Sequence, residues 1–212
     1  MISLILADDD PIVVTGLEMI VSSRADLSLL GTAANGLNAV QLCREKRPDV
    51  AVLDIRMPGM DGIEAARIIL EEGLSQPLLL TTFDEPDLIR RALEVGARGY
   101  ILKNSPSQGI LAAIATVGQG GTVFAPDIVE YIRSVTHIPH GEFFKNLTAR
   151  EKQIVVLIAK GLSNAQIAAQ LYLSNGTVRN HISTILEKTQ LEHRTQIAVR
   201  YYAGDAPIDV GE

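Results

Sequence analysis

At 212 residues the chain is long enough for one large domain, or for two small ones that each bury a core. With 47% apolar and 21% charged residues it has the balance of a globular protein, and no apolar run is long enough to span a bilayer; a membrane partner is not expected. The single cysteine, Cys43, excludes an internal disulfide and a cysteine-based metal cluster, and reads as a small buried apolar side chain.

The net charge of −6 conceals a split. Residues 1–122 carry ten Lys/Arg against sixteen Asp/Glu, whereas residues 146–204 carry seven against three. A basic C-terminal segment keeps phosphate-backbone binding open, because local potential governs it rather than net charge. The apolar stretch at residues 2–7 is too short for a signal-peptide core and runs into Asp8-Asp9-Asp10, which points to a cytoplasmic location.

In chain order, five short apolar runs read as strands: Leu4–Ala7, Leu27–Thr32, Val50–Leu53, Leu78–Leu80 and Gly99–Leu102. Most are continuous rather than alternating, the pattern of a parallel sheet covered on both faces. Amphipathic stretches near 11–24, 36–47, 62–72, 85–96 and 107–119 read as helices between and after them; in the first, Val13, Val14, Leu17, Ile20 and Val21 share a face. Strands alternating with helices predict an α/β fold, a doubly wound five-stranded parallel sheet with its ligand site at the carboxyl ends of the strands. Beyond Gly118–Gly121 the texture changes. Residues 123–145 read as a linker with a short helix near 126–135, residues 146–204 as a small all-α domain, and residues 205–212 as a tail.

The carboxyl ends of the predicted strands gather an unusual set of side chains. Asp8 and Asp9 end the first, Asp54 the third and Thr81 the fourth, and Lys103 follows the fifth. Asp10 before Pro11 reads as a helix cap. Three carboxylates in one crevice repel one another unless a cation joins them, and an all-oxygen donor set suits Mg²⁺. A hydroxyl and an ammonium opposite suit a phosphoryl group on one carboxylate, since an aspartate can act as a nucleophile and form an acyl phosphate.

The segments Ala7-Asp8-Asp9, Val52 to Gly62 (VLDIRMPGMDG), Leu80-Thr81-Thr82 and Gly99-Tyr100-Ile101-Leu102-Lys103 together resemble bacterial receiver domains over roughly residues 1–120. The resemblance implies that Asp54 accepts a phosphoryl group from a partner histidine kinase. It implies Mg²⁺ held by Asp8, Asp9, Asp54 and the backbone carbonyl of Arg56. Thr81 and Lys103 would contact phosphoryl oxygens, and Tyr100 would follow Thr81 inward on activation. Thr82 is larger than the residue common at its position, so it is expected to restrict the attacking water and prolong the phosphorylated state.

The C-terminal segment opens with Thr148 and Glu151 at capping-box spacing, predicting a helix that ends near Gly161. Ser163 starts a second helix and Ser174 a third, running to about Lys188. In the third, Val178, Ile182, Ile185 and Leu186 share one face, while Asn175, Arg179, Asn180, Ser183 and Glu187 lie opposite, as in a helix-turn-helix recognition helix. Arginine can pair with guanine and asparagine with adenine, or either can touch phosphate.

Leu147-Thr148-x-Arg150-Glu151, Gly161-Leu162-Ser163-Asn164, Thr177-Val178-Arg179-x-His181 and Arg194-Thr195-Gln196 make this segment similar to the LuxR/NarL type of DNA-binding domain. That resemblance implies double-stranded promoter DNA as partner. Thr177, Arg179, Asn180 and Ser183 would face the DNA, with Ser174 and Asn175 beside them. A fourth helix from about Arg194 to Ala203 would form the seam of a homodimer on activation. Thr189-Gln190-Leu191 departs from the Leu-Gly-Val turn frequent at that position.

A nucleotide-dependent α/β enzyme would need a glycine-rich phosphate loop where this chain has Asp8-Asp9-Asp10-Pro11. An aspartyl phosphatase would leave the basic module without a use, and the chain is not expected to be an enzyme. A phosphate-independent DNA-binding dimer would not need the full set of Asp9, Asp54, Thr81 and Lys103. A protein adaptor would not need Arg179 and Asn180 exposed.

Overall fold

The computed structural model describes residues 1–82, 86–135 and 143–204, apart from the side chains of residues 86, 87 and 135. The start of the helix expected near 85, the middle of the stretch 123–145 and the tail 205–212 lie outside the described residues. The chain divides into two compact units, Met1–Gln119 and Gly120–Glu212.

In the first unit, β1 (Ile2–Ala7), β2 (Leu27–Ala33), β3 (Val50–Asp54), β4 (Gln76–Thr81) and β5 (Gly99–Leu102) are interleaved with α1 (Pro11–Ser22), α2 (Gly36–Lys46), α3 (Gly62–Glu71), α4 (Pro86–Glu94) and α5 (Ser107–Gly118). The pairings β1–β2, β1–β3, β3–β4 and β4–β5 are all parallel. The continuous apolar runs are explained by position: β3 and β5 are buried along their whole length, whereas β2, at the sheet edge beside β1, is mostly half-exposed. One expectation is corrected. The first unit's strands run in the order β2-β1-β3-β4-β5, and the chain holds six strands instead of five: the sixth, β6 (Val123–Phe124), is only two residues long and leaves no periodic trace in sequence.

Local chemistry sets the helix starts. Asp10 accepts from the backbone N–H of Ile12 at 2.8 Å with Pro11 in the first turn, as its spacing predicted. Asn35 caps α2 through Asn38 at 2.9 Å, and Asp61 caps α3 through Glu64 at 2.7 Å. Cys43 is fully buried in α2, and burial pushes its thiol up to about 12, so it is inert at neutral pH.

The second unit contains α6 (Pro126–Val135), α7 (Ala149–Ala159), α8 (Asn164–Leu171), α9 (Asn175–Thr189) and α10 (Arg194–Tyr202). Capping boxes open α7 (Thr148 with Glu151) and α8 (Ser163 with Gln166). One apolar cluster holds the unit together: Phe144 and Leu147 ahead of α7, then Ile154, Val155, Leu157 and Ile158 of α7, Ile167 of α8, Val178, Ile182 and Ile185 of α9, and Ile197 of α10. Truncating a fully buried member such as Ile158 to Ala should cost about 2–5 kcal/mol.

The stretch before α7 is tied into this unit as well. Arg194 donates to the backbone oxygen of Gly120 at 2.9 Å, Thr122 N–H reaches the oxygen of Gly161 at 3.3 Å, and Phe124 meets the Tyr202 ring edge-on. Gly161 is required twice over. Its φ is +84°, and a Cβ there would stand 2.6 Å from the Thr122 oxygen.

Candidate functional site

The carboxyl edge of the sheet assembles the acidic crevice. Asp8 directly follows β1, Asp54 and Thr81 are the last residues of β3 and β4, and Lys103 directly follows β5. Parallel pairing aligns these ends: Asp54 lies opposite Leu80, Thr81 opposite Leu102, and Lys103 N–H donates to the Thr81 oxygen at 2.8 Å. Residues far apart in sequence therefore converge because each strand ends at the same edge.

Asp8 and Asp54 are almost fully buried and Asp9 is exposed, and each offers a carboxylate oxygen within 4.8 Å of the other two. The Lys103 ammonium spans the two buried acids, 2.8 Å from Asp8 and 2.9 Å from Asp54. Burial raises the Asp54 pKa above the ordinary carboxylate value, a shift that Lys103 and a backbone hydrogen bond from Arg56 reduce and Asp8 reinforces. For Lys103 burial works against the charge, yet its pairing with Asp8 and Asp54 leaves its pKa raised.

The donor set fits a hard divalent cation. Three carboxylates share the crevice and one ammonium pairs with two of them, Asp8 and Asp54, so the acids outnumber it, and all three offer only oxygen. Such a cation would screen that repulsion and the charge of an incoming phosphoryl group.

Around the crevice, Thr81 is buried, Thr82 is exposed, and Arg56 sits exposed in the loop after β3. Tyr100 is already buried in this structure, its hydroxyl donating to the backbone oxygen of Ala92 in α4, and burial raises its pKa. Arg91, next to Ala92, pairs with Asp61 of the loop before α3 at 3.2 Å.

Gly62, part of the second motif but with no role assigned, and Gly36, at the start of α2, shape the loops. A Cβ on Gly62 would lie 1.9 Å from the Asp54 backbone oxygen, and one on Gly36 would lie 2.6 Å from that of Met60. Sequence carries no sign of such an approach, because it is fixed by tertiary packing.

In the helical unit, Ser174, Asn175, Arg179, Asn180 and Ser183 are exposed along α9, and Thr177 is half-exposed. The Ser174 hydroxyl caps α9 through Thr177 N–H at 3.0 Å and pairs with the Thr177 hydroxyl at 2.8 Å. Ser183 donates back to the Arg179 oxygen, which leaves its lone pairs open to a donor. Val178, Ile182 and Ile185 face inward. An ion pair that sequence reading missed fixes α9 on α7: Lys188 reaches both oxygens of buried Glu151 at 2.8 Å. Burial works against that carboxylate, but Lys188 and Thr148 hold its pKa below the ordinary value. Gln190, where glycine is frequent, adopts a left-handed φ of +55°.

A phosphoacceptor-type acidic crevice on a parallel sheet and an exposed polar helix on a helix-turn-helix unit together define a receiver joined to a DNA-binding module. Comparison with known proteins agrees. Residues 4–115 match the response regulator receiver domain, and residues 145–201 match the bacterial regulatory proteins of the luxR family. The transcriptional regulatory proteins LnrK and DesR of Bacillus subtilis (strain 168) are each 36% identical, over 94% of this chain and 96% of theirs. The crystal structure of the response regulator ChrA of a heme-sensing two-component system is 34% identical, with TM-score 0.56 over 94% of this chain and 96% of that one. The chain belongs to the two-component response regulators that join a receiver domain to a LuxR-type DNA-binding domain.

Proposed function

We propose that Asp54 is the phosphoryl acceptor of this DNA-binding transcriptional regulator, with a sensor histidine kinase as donor, and that phosphorylation promotes dimerisation and promoter binding. The observation that carries this reading is the buried Asp54 carboxylate, beside Asp8 and spanned by Lys103 at 2.9 Å. An Asp54 oxygen attacks the phosphorus of a phosphohistidine, the N–P bond breaks as the O–P bond forms, and the imidazole leaves to take a proton from solvent. Asp8, Asp9, Asp54 and the Arg56 carbonyl would hold Mg²⁺, which supplies charge neutralisation at the phosphoryl oxygens. Lys103 and Thr81 would take the oxygens on the other side, with Lys103 released from Asp54 as the new group forms.

Tyr100 already holds the α4 backbone, so α4 is the element through which a change at Thr81 would be read. In the helical unit, Ser174, Asn175, Thr177, Arg179, Asn180 and Ser183 would meet DNA, with two copies binding paired half-sites. If α10 forms the seam, the partner meets a helix whose Tyr202 already packs against Phe124 and Arg133. Among the described residues no helix is long and apolar enough to cross a membrane, and work on DNA places the regulator in the cytoplasm.

The deciding experiment measures binding to genomic fragments with and without acetyl phosphate and Mg²⁺. Tightening by the phosphodonor that is absent in Asp54→Asn is expected. Binding unchanged by phosphodonor in the wild type would sink the switch, and no binding at all would favour a protein adaptor.

A further inference from the structure

Tyr172, at the turn between α8 and α9, is 97% exposed, the highest value among the large apolar side chains left in solvent. It also takes a φ of +56° at the C-cap of α8, a region that disfavours any β-carbon. The turn is firmly built. The N–H groups of Tyr172 and Leu173 both reach the Ala168 oxygen, and the Arg150 guanidinium reaches the Leu171 oxygen at 3.2 Å. The other non-glycine residues with positive φ among those described, Arg47 and Gln190, are long polar side chains. Among the described residues, Tyr172 is the one that places an exposed aromatic ring in water on a rigid support.

Its position gives the ring a use. Two residues later Ser174 caps α9, and Asn175, Arg179, Asn180 and Ser183 follow on the exposed face. A recognition helix enters the major groove by its N-terminal residues, which carries the turn just ahead of its cap toward the sugar–phosphate strand at the rim. Tyrosine is a neutral O–H donor of the kind that bonds phosphate oxygens. A protein partner would call for an apolar patch, whereas Gln170, Ser174 and Asn175 nearby in sequence are exposed and polar.

We propose that the Tyr172 hydroxyl donates to a DNA phosphate at the edge of the groove that α9 enters, and so sets the register of α9. This rests on the reading of α9 as the recognition helix. It makes Tyr172 a backbone-positioning contact that carries no base information of its own.

The test uses the full chain treated with acetyl phosphate and Mg²⁺. A duplex selected by this chain from a random-sequence library is compared with an unrelated duplex of equal length. Tyr172→Phe should weaken binding to both by about tenfold. Its salt dependence should match wild type, because a neutral donor displaces no counterion, and its Tm and phosphorylation should be unchanged. Tyr172→Gly, which suits the left-handed φ, should show the same loss of affinity at an equal or higher Tm. Wild-type affinity in the Phe variant overturns the proposal. A loss confined to the selected duplex overturns it in favour of base reading, and a lower Tm in the Gly variant overturns it in favour of a structural ring. A wild-type chain that binds no duplex overturns the recognition-helix reading itself, before any variant is made.

Discussion

The two units handle functional charge in opposite ways. The sheet unit buries it: Asp8 and Asp54 are nearly inaccessible, held by Lys103, with excess negative charge left over. The helical unit exposes it: Arg179 stands in water beside the polar Asn180, and among the described residues its one buried acid, Glu151, is matched by Lys188. Buried, unbalanced charge costs stability that a bound cation would return, which suits the proposed switch. Exposed charge costs the fold little, which suits the proposed contact with a polyanion. The lesson is that the proposed acceptor acid in the first unit should be one whose removal stabilises the fold, whereas removal of an exposed polar residue on α9 should be neutral.

Asp54→Asn is the largest test. Phosphorylation by acetyl phosphate, followed by mass, should vanish, while Tm at neutral pH without Mg²⁺ should rise by about 3 °C. The sign follows from the raised pKa of Asp54. Its ionised form destabilises the fold, so the wild type recovers stability as pH falls through that pKa toward the ordinary value of 3.8, and the advantage of the variant shrinks over that window. A lower Tm in Asp54→Asn at neutral pH would break the comparison on the sheet side.

Arg179→Ala comes next. DNA affinity should drop about ten- to a hundredfold, and the slope of log affinity against log salt should fall by about 0.9 if the contact is to phosphate. Its unfolding free energy should stay within about 0.5 kcal/mol of wild type. A marked loss of stability would show that the exposed face is not free for DNA.

Lys188→Met sharpens the contrast by leaving a buried acid unmatched in the helical unit. The expected cost in thermal unfolding is about 1–2 kcal/mol, reduced from that of a fully buried pair because Lys188 is partly exposed. The depressed pKa of Glu151 gives the sign: its contribution is present above the ordinary value of 4.5 and lost as pH falls through the folded value, so variant and wild type should converge in acid.

Thr82→Ala is the smallest. Loss of the phosphoryl group should quicken about threefold if exposed Thr82 hinders the attacking water. Equal or slower loss in the variant would remove that role.

Much of both units could be read in the chain. The apolar runs, the cap at Asp10 and the box at Thr148 and Glu151 are local signals, and the helices and strands follow them within a few residues. β4 starts earlier than its apolar run because Gln76 and Pro77 pair with Val50 and Ala51, a cross-strand contact that local patterning cannot show. The Glu151–Lys188 pair joins residues 37 apart, and each alone looks like an ordinary surface charge. Tyr100 reads as a strand aromatic, while its bond to α4 depends on how that helix packs.

By itself the sequence determined the element order, the acids and the lysine at strand ends, and the polar face of α9, because caps, periodicity and residue chemistry act over a few residues. Only the tertiary structure decided that Lys103 spans Asp8 and Asp54, that Gly62 must lack a side chain, that Lys188 holds Glu151, and that the Tyr172 ring is exposed to solvent. Those facts are distances between segments remote in the chain, and they exist only once burial has brought the segments together.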